Sequence, residues 1–157
     1  MIKIGDKFPK VDVTRVDNKT QETVSTDTLF SGKKVVLFAV PGAFTPTCSE
    51  SHLPGYIIHA DSILSKGVDM IACTSVNDAF VMQAWGKTQN AEAITLLADG
   101  GGALASALGL VLETGDFGGN RSKRYAVIID DGIVTQINLE QPGAFEVSDA
   151  ETILAAL

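Results

Sequence analysis

In KVVLFAVPGAFTPTCSESHLP (Lys34–Pro54), a short run rich in Val, Leu and Phe lies between Gly32 and Pro41-Gly42, then gives way to a stretch punctuated by prolines. A run of that length and composition suits a strand buried on both faces, because neither face can then carry polar side chains. Beyond it, Tyr56, Ile57, Ala60, Ile63 and Leu64 recur at helical spacing as far as Gly67, so a crossover helix follows the strand.

The same alternation continues outward. VDMIACTSV (Val68–Val76) reads as a second strand, and Asn77 as the cap of a helix burying Phe80, Val81, Ala84 and Trp85. Ile94–Ala98 is a third strand, followed by a short helix with Ala103, Leu104, Ala107 and Leu108 on one face and Gly109 at its end. Tyr125–Ile129 and Ile133–Leu139 are β-rich and joined through Asp130, Asp131 and Gly132, the chemistry of a tight hairpin. Ser148 and Glu151 form a capping box for a last helix carrying Ile153, Leu154 and Leu157. The expectation is one domain over residues 1–157, with a mixed, mostly parallel central sheet of four or five strands and helices on both faces. That is a thioredoxin-like α/β fold.

Composition bounds the function. The length of 157 residues fits one domain. A net charge of −7 disfavours polyphosphate and anionic lipid, so neither nucleic acid nor a membrane surface is expected as a partner. The longest apolar stretch, Val35–Pro41, falls far short of the roughly 20 residues that span a bilayer. Two cysteines are too few for a disulfide framework, and the start MIKIGDKFPK lacks the apolar run of a secretory signal; a reducing, cytoplasmic setting is expected.

The chemistry concentrates after the first strand. Pro41, Pro46 and Pro54 restrict the backbone around Cys48 at the C-terminal edge of a central strand, where α/β sheets place their ligands. Thr45 can cap a helix starting at Pro46; in a rival register Thr47 caps it with Glu50 as capping-box partner. Both put Cys48 at the helix entrance, where free N–H groups and the positive end of the helix dipole stabilise a thiolate. Cys48 is therefore a candidate nucleophile.

PGAFTPTCS (Pro41–Ser49), HLPGY (His52–Tyr56), SVNDAFVM (Ser75–Met82) and KRYAVIIDDGIV (Lys123–Val134) together resemble the peroxiredoxins, specifically the atypical type V subfamily, over nearly the whole chain. The resemblance implies that Cys48 is the peroxidatic cysteine, that Thr45 hydrogen-bonds the peroxide, that Pro41 shields the sulfur from water and that Arg124 steadies the thiolate. It also implies a homodimer using surfaces near the active-site loop, and no metal, haem or other cofactor. The physics of each role agrees: a thiolate attacking one oxygen of an O–O bond needs donors and a cation where charge develops, and arginine supplies both in a fixed fork. The product is a sulfenic acid.

Cys73, in the middle of MIACTSV, reads as a core residue rather than a resolving thiol, and the C-terminal segment QPGAFEVSDAETILAAL holds no cysteine. A one-cysteine cycle follows, in which glutathione with glutaredoxin, or thioredoxin, reduces the sulfenic acid. His52, four residues after Cys48, lies where a base of the thiol-protease kind would, but the helix end and Arg124 already favour the thiolate without one. His59 has no evident partner. Phe44 and Phe117 are candidates for an apolar rim admitting small organic hydroperoxides. Neither a Cys-x-x-Cys pair, a metal-ligand spacing nor a nucleotide-binding glycine motif occurs.

Overall fold

The computed structural model describes residues 1–157. Its first central strand, β3 (Lys34–Ala39), has a residue burial pattern set by alternation: Val36, Phe38 and Val40 face one hydrophobic core, Val35, Leu37 and Ala39 the other. All six are completely buried, which is why the segment shows no polar position between Lys34 and Pro41. β3 pairs in parallel with β4 (Met70–Ser75), and β4 in parallel with β5 (Thr95–Ala98). On its other side β3 pairs antiparallel with β8 (Tyr125–Asp130), which turns back into β9 (Ile133–Leu139). Asp131 and Gly132 take positive φ at that turn, as a two-residue hairpin loop matching the sheet twist demands.

An N-terminal hairpin completes the sheet. β1 (Asp12–Val16) pairs antiparallel with both β2 (Gln21–Ser25) and β5, giving a seven-stranded order β2-β1-β5-β4-β3-β8-β9. The sheet is mixed, as expected, but it is not mostly parallel: only β3/β4 and β4/β5 are parallel, because a hairpin extends each side of that three-stranded centre. A separate short ribbon joins β6 (Val111–Glu113) to β7 (Asn120–Ser122).

Helices cover both faces. α2 (Leu53–Leu64), α3 (Ala79–Gln89) and α5 (Ala150–Ala155) pack into the core around Phe38, whereas α1 (Thr26–Phe30) and α4 (Ala103–Leu108) pack on the side of Leu37. Two caps shift by one residue. Asp78, not Asn77, caps α3 by accepting the Val81 N–H at 2.9 Å, which turns Met82 and Trp85 inward and leaves Phe80 74% exposed. Asp149, not Ser148, caps α5, because Ser148 is engaged by Glu140. No helix is long and apolar enough to cross a membrane.

Cys73 sits in β4 opposite Phe38 and Leu96, completely buried in the core that also holds Cys48. Burial, reinforced by nearby Cys48, pushes its thiol well above its ordinary value, so it remains protonated. Both cysteines are free. Cys73→Ser is expected to lower unfolding free energy by about 1–3 kcal/mol, since a hydroxyl replaces a buried sulfur that makes no hydrogen bond. It should leave the reactivity of Cys48, the candidate nucleophile, unchanged. Denaturant unfolding and stopped-flow oxidation of the same variant check both halves, and a lost or slowed oxidation would contradict the core assignment.

Candidate active site

The chain leaves β3 at Val40 and turns through Pro41–Thr45, with Phe44 held at φ 63, a conformation costly for an aromatic residue. The turn is tied to β4: Asn77 Oδ1 accepts the Ala43 N–H at 3.0 Å and the Ser75 hydroxyl at 2.7 Å. Helical conformation begins at Pro46, so Cys48 lies in the first turn as both sequence registers require. Neither threonine caps by its side chain. Thr45 Oγ1 instead donates to the Gly42 carbonyl at 2.6 Å, which commits its proton and leaves its lone pairs to accept from a ligand. The Cys48 N–H meets no backbone acceptor.

From Cys48 to His52 the helix widens into a π-type turn, with the Leu53 N–H bonding the Cys48 carbonyl. Pro54 supplies the reason. It has no N–H to give the Glu50 carbonyl and its ring crowds that carbonyl, so the turn opens rather than breaking the helix. Trp85 Nε1 donates to Ser49 Oγ at 2.9 Å and anchors the widened turn to α3.

Over the sulfur lies Arg124, just ahead of β8. Its Nη2 donates to Cys48 Sγ at 3.1 Å and its Nη1 to His52 Nδ1 at 2.8 Å, with the guanidinium carbon 5.7 Å from the centre of the Phe145 ring. A guanidinium can only donate, so Nδ1 is the bare nitrogen of His52, and Nε2 carries the proton and donates to the Ser148 carbonyl at 3.1 Å. Burial, then the Arg124 charge, pushes His52 down from 6.5 to about 3, so the ring stays neutral. Phe38, Tyr56 and Phe145 wall the ring in, and the Tyr56 hydroxyl shares the Ser148 carbonyl at 2.7 Å. That carbonyl is fixed in turn by Glu140, whose carboxylate accepts the N–H groups of Glu146, Val147 and Ser148 and the Ser148 hydroxyl. Burial alone would raise the Glu140 carboxyl, but these bonds outweigh it and lower it on balance.

Cys48 itself is completely buried. A cavity of about 370 Å³ reaches Arg124 and Pro41 between Leu112, Thr47, Lys123 and Pro142. Phe44 and Phe117 are 55% and 81% exposed and do not line it, so the expected rim is not formed by them. His59 does find a partner, Glu151, at 3.5 Å. The structure thus joins Arg124 to Cys48, with Pro41 beside Arg124 on the cavity and Thr45 in the turn leading to Cys48, and adds His52, which lies one helical turn from Cys48 and bonds the arginine rather than serving the sulfur as a base.

Neutral His52 makes stability depend on pH. The unfolded chain takes up a proton near 6.5 that the folded state refuses until about 3, so this contribution is complete above 6.5 and is lost as pH falls between those values. Denaturant unfolding should show a loss of roughly 2 kcal/mol between pH 7 and 5 that His52→Gln, which still offers Arg124 an acceptor, does not share. Glu140, with its lowered carboxyl, loses stabilisation in the same direction but only nearer the ordinary carboxylate range. An equal pH slope in the variant would contradict the neutral-ring assignment.

A mixed sheet presenting a buried cysteine at a helix entrance beneath an arginine is the arrangement of a cysteine-based redox protein, and residues 3–154 match the model of the Redoxin family. Peroxiredoxin-2D of Arabidopsis thaliana is 50% identical over 159 residues, covering 99% of this chain and 98% of that protein. Chloroplastic Peroxiredoxin-2E of the same plant is 49% identical over 162 residues, covering 99% of this chain and 69% of its own length. Reduced Prx3 from Vibrio vulnificus in complex with hydrogen peroxide superposes with a TM-score of 0.97 at 58% identity over 99% of both chains. The chain belongs to the peroxiredoxins, thiol peroxidases on a thioredoxin-like fold.

Proposed function

We propose that this peroxiredoxin, of the atypical type V kind, reduces hydrogen peroxide and alkyl hydroperoxides through Cys48 in a one-cysteine cycle. The observation that carries the reading is the 3.1 Å bond from Arg124 to the buried Cys48 Sγ. A cationic donor there favours the thiolate and meets the charge that develops as O–O breaks. The thiolate attacks the terminal oxygen, the S–O bond forms as O–O breaks, and the departing alkoxide or hydroxide takes a proton to leave as alcohol or water. Cys48 is left as a sulfenic acid, oxidised by two electrons. Thr45 accepts a hydrogen bond from the peroxide, Arg124 and the Cys48 N–H donate to its oxygens, and Pro41 covers the approach. The 58% identical Prx3 captured with hydrogen peroxide supports that substrate for this chain.

The sulfenic acid is reduced by an external thiol, glutathione with glutaredoxin or thioredoxin, since Cys73 is buried and protonated. The first thiol forms a mixed disulfide with Cys48 and releases water, and the second displaces Cys48 as the thiol, leaving the two donor sulfurs oxidised to a disulfide. We place the protein in a reducing compartment such as the cytoplasm, as a single catalytic domain assembled into a homodimer that meets near the active-site loop, and its cycle needs no bound cofactor. Steady-state reduction of hydrogen peroxide with each donor system in turn tests the cycle: sustained turnover with at least one is expected, and a single oxidation with no turnover in any would contradict it.

A further inference from the structure

We propose that Arg121 is a second positioning arginine, clamping the Pro41–Thr45 turn in the geometry that peroxide reduction needs; the inference rests on the peroxidase reading of Cys48. Arg121 lies in β7 opposite Leu112, three residues before Arg124, and its side chain runs back toward the cysteine loop. Its Nη1 donates to the Pro41 carbonyl at 2.9 Å, across 80 positions of sequence. Phe117 covers the guanidinium at 5.7 Å, and Nε is buried without an acceptor, so the group is held by enclosure on top of one directed bond. The short segment Arg121–Arg124 therefore grips the cysteine loop at both ends, Pro41 through Arg121 and Cys48 through Arg124.

Two glycines disclose how closely the clamp is fitted. A Cβ at Gly42 would come under 3.0 Å from Nη1 of Arg121, and a Cβ at Gly118 under 3.0 Å from its Nε, Nη2 and Cζ. Neither glycine has positive φ. Their lack of a side chain makes room for the guanidinium between them and does not serve a left-handed backbone. Arg121 touches no reacting atom. Its effect passes through the Pro41 carbonyl to the turn bearing Pro41 and Thr45, where a displacement of about 1 Å can cost on the order of a hundredfold in rate.

The test compares Arg121→Met, Gly118→Ala and the double variant with the unaltered protein, each fully reduced. Two rates are read: oxidation of Cys48 by hydrogen peroxide in stopped flow, and alkylation of Cys48 by iodoacetamide, which needs the thiolate but not the peroxide-binding groups of the turn. Each single variant is expected to slow peroxide oxidation roughly tenfold to a hundredfold while alkylation stays within about twofold. The double variant should be no slower than Arg121→Met alone, because alanine at position 118 then meets no guanidinium. Gly118→Ala displaces only the end of a flexible side chain, so it retains the fold even if Arg121→Met does not. Unaltered oxidation in Gly118→Ala, a parallel fall in alkylation, or additive losses in the double variant would each overturn the clamp. If the unaltered protein does not oxidise at Cys48, it is the peroxidase reading that fails.

Discussion

Cys48→Ser is expected to lower peroxide turnover by at least about a thousandfold, to the background of the assay. A serine hydroxyl is not ionised near neutral pH and is a poor nucleophile toward an O–O bond, whereas the sulfur is polarisable and held beside a cation. The substitution is close to isosteric, and a serine oxygen can still accept the Arg124 N–H that Sγ accepts at 3.1 Å. The arginine, His52 and the π-type turn should therefore stay in place, and the loss is one of chemistry rather than of folding. Donor-coupled peroxide consumption measures it, with thermal unfolding as the control. A variant keeping more than about a hundredth of the activity would move the reaction away from Cys48.

Arg124→Lys retains the charge yet should slow the peroxide step on the order of a hundredfold. The guanidinium meets two acceptors at once, Cys48 Sγ and His52 Nδ1, with its plane fixed near Phe145. An ammonium on a flexible stem has no rigid fork with which to hold both, and a His52 nitrogen left without its donor in a buried site costs about 1–3 kcal/mol of stability. Stopped-flow oxidation separates the two effects by reading rate at a temperature where the variant remains folded. Equal rates would make charge alone the contribution of Arg124.

How much could be read in advance depends on how far each feature is written in local residues. β3 was legible because a strand buried on both faces must be apolar throughout, and the β8–β9 hairpin because Asp131-Gly132 suits only a tight reversal. The β1–β2 hairpin was not: only Val13 and Val16 are buried there, Val24 packs half-buried against the core, and the rest alternates too weakly to stand out from a loop. Its turn does carry a local signature, Asp17 accepting the N–H groups of Lys19 and Thr20. Cys48, Thr45 and Pro41 lie in one short stretch; proline placement plus helix entry marked Cys48 as a nucleophile, while the roles of Thr45 and Pro41 came from the resemblance. Asn77 has the residue chemistry of a helix cap, but its amide ties the cysteine turn to β4 and the cap passes to Asp78. Arg121 was hidden in a charged run, since its partner is a backbone carbonyl that no residue pattern advertises.

One equivalent of hydrogen peroxide added to the reduced protein, with intact and peptide mass spectrometry on the quenched products, tests the central claim most directly. The account predicts a rapid gain of a single oxygen confined to Cys48, reversed by glutathione with glutaredoxin or by thioredoxin, with Cys73 unmodified throughout. Oxygen appearing elsewhere, no oxygen on Cys48, or a Cys48–Cys73 disulfide as the first stable product would contradict it.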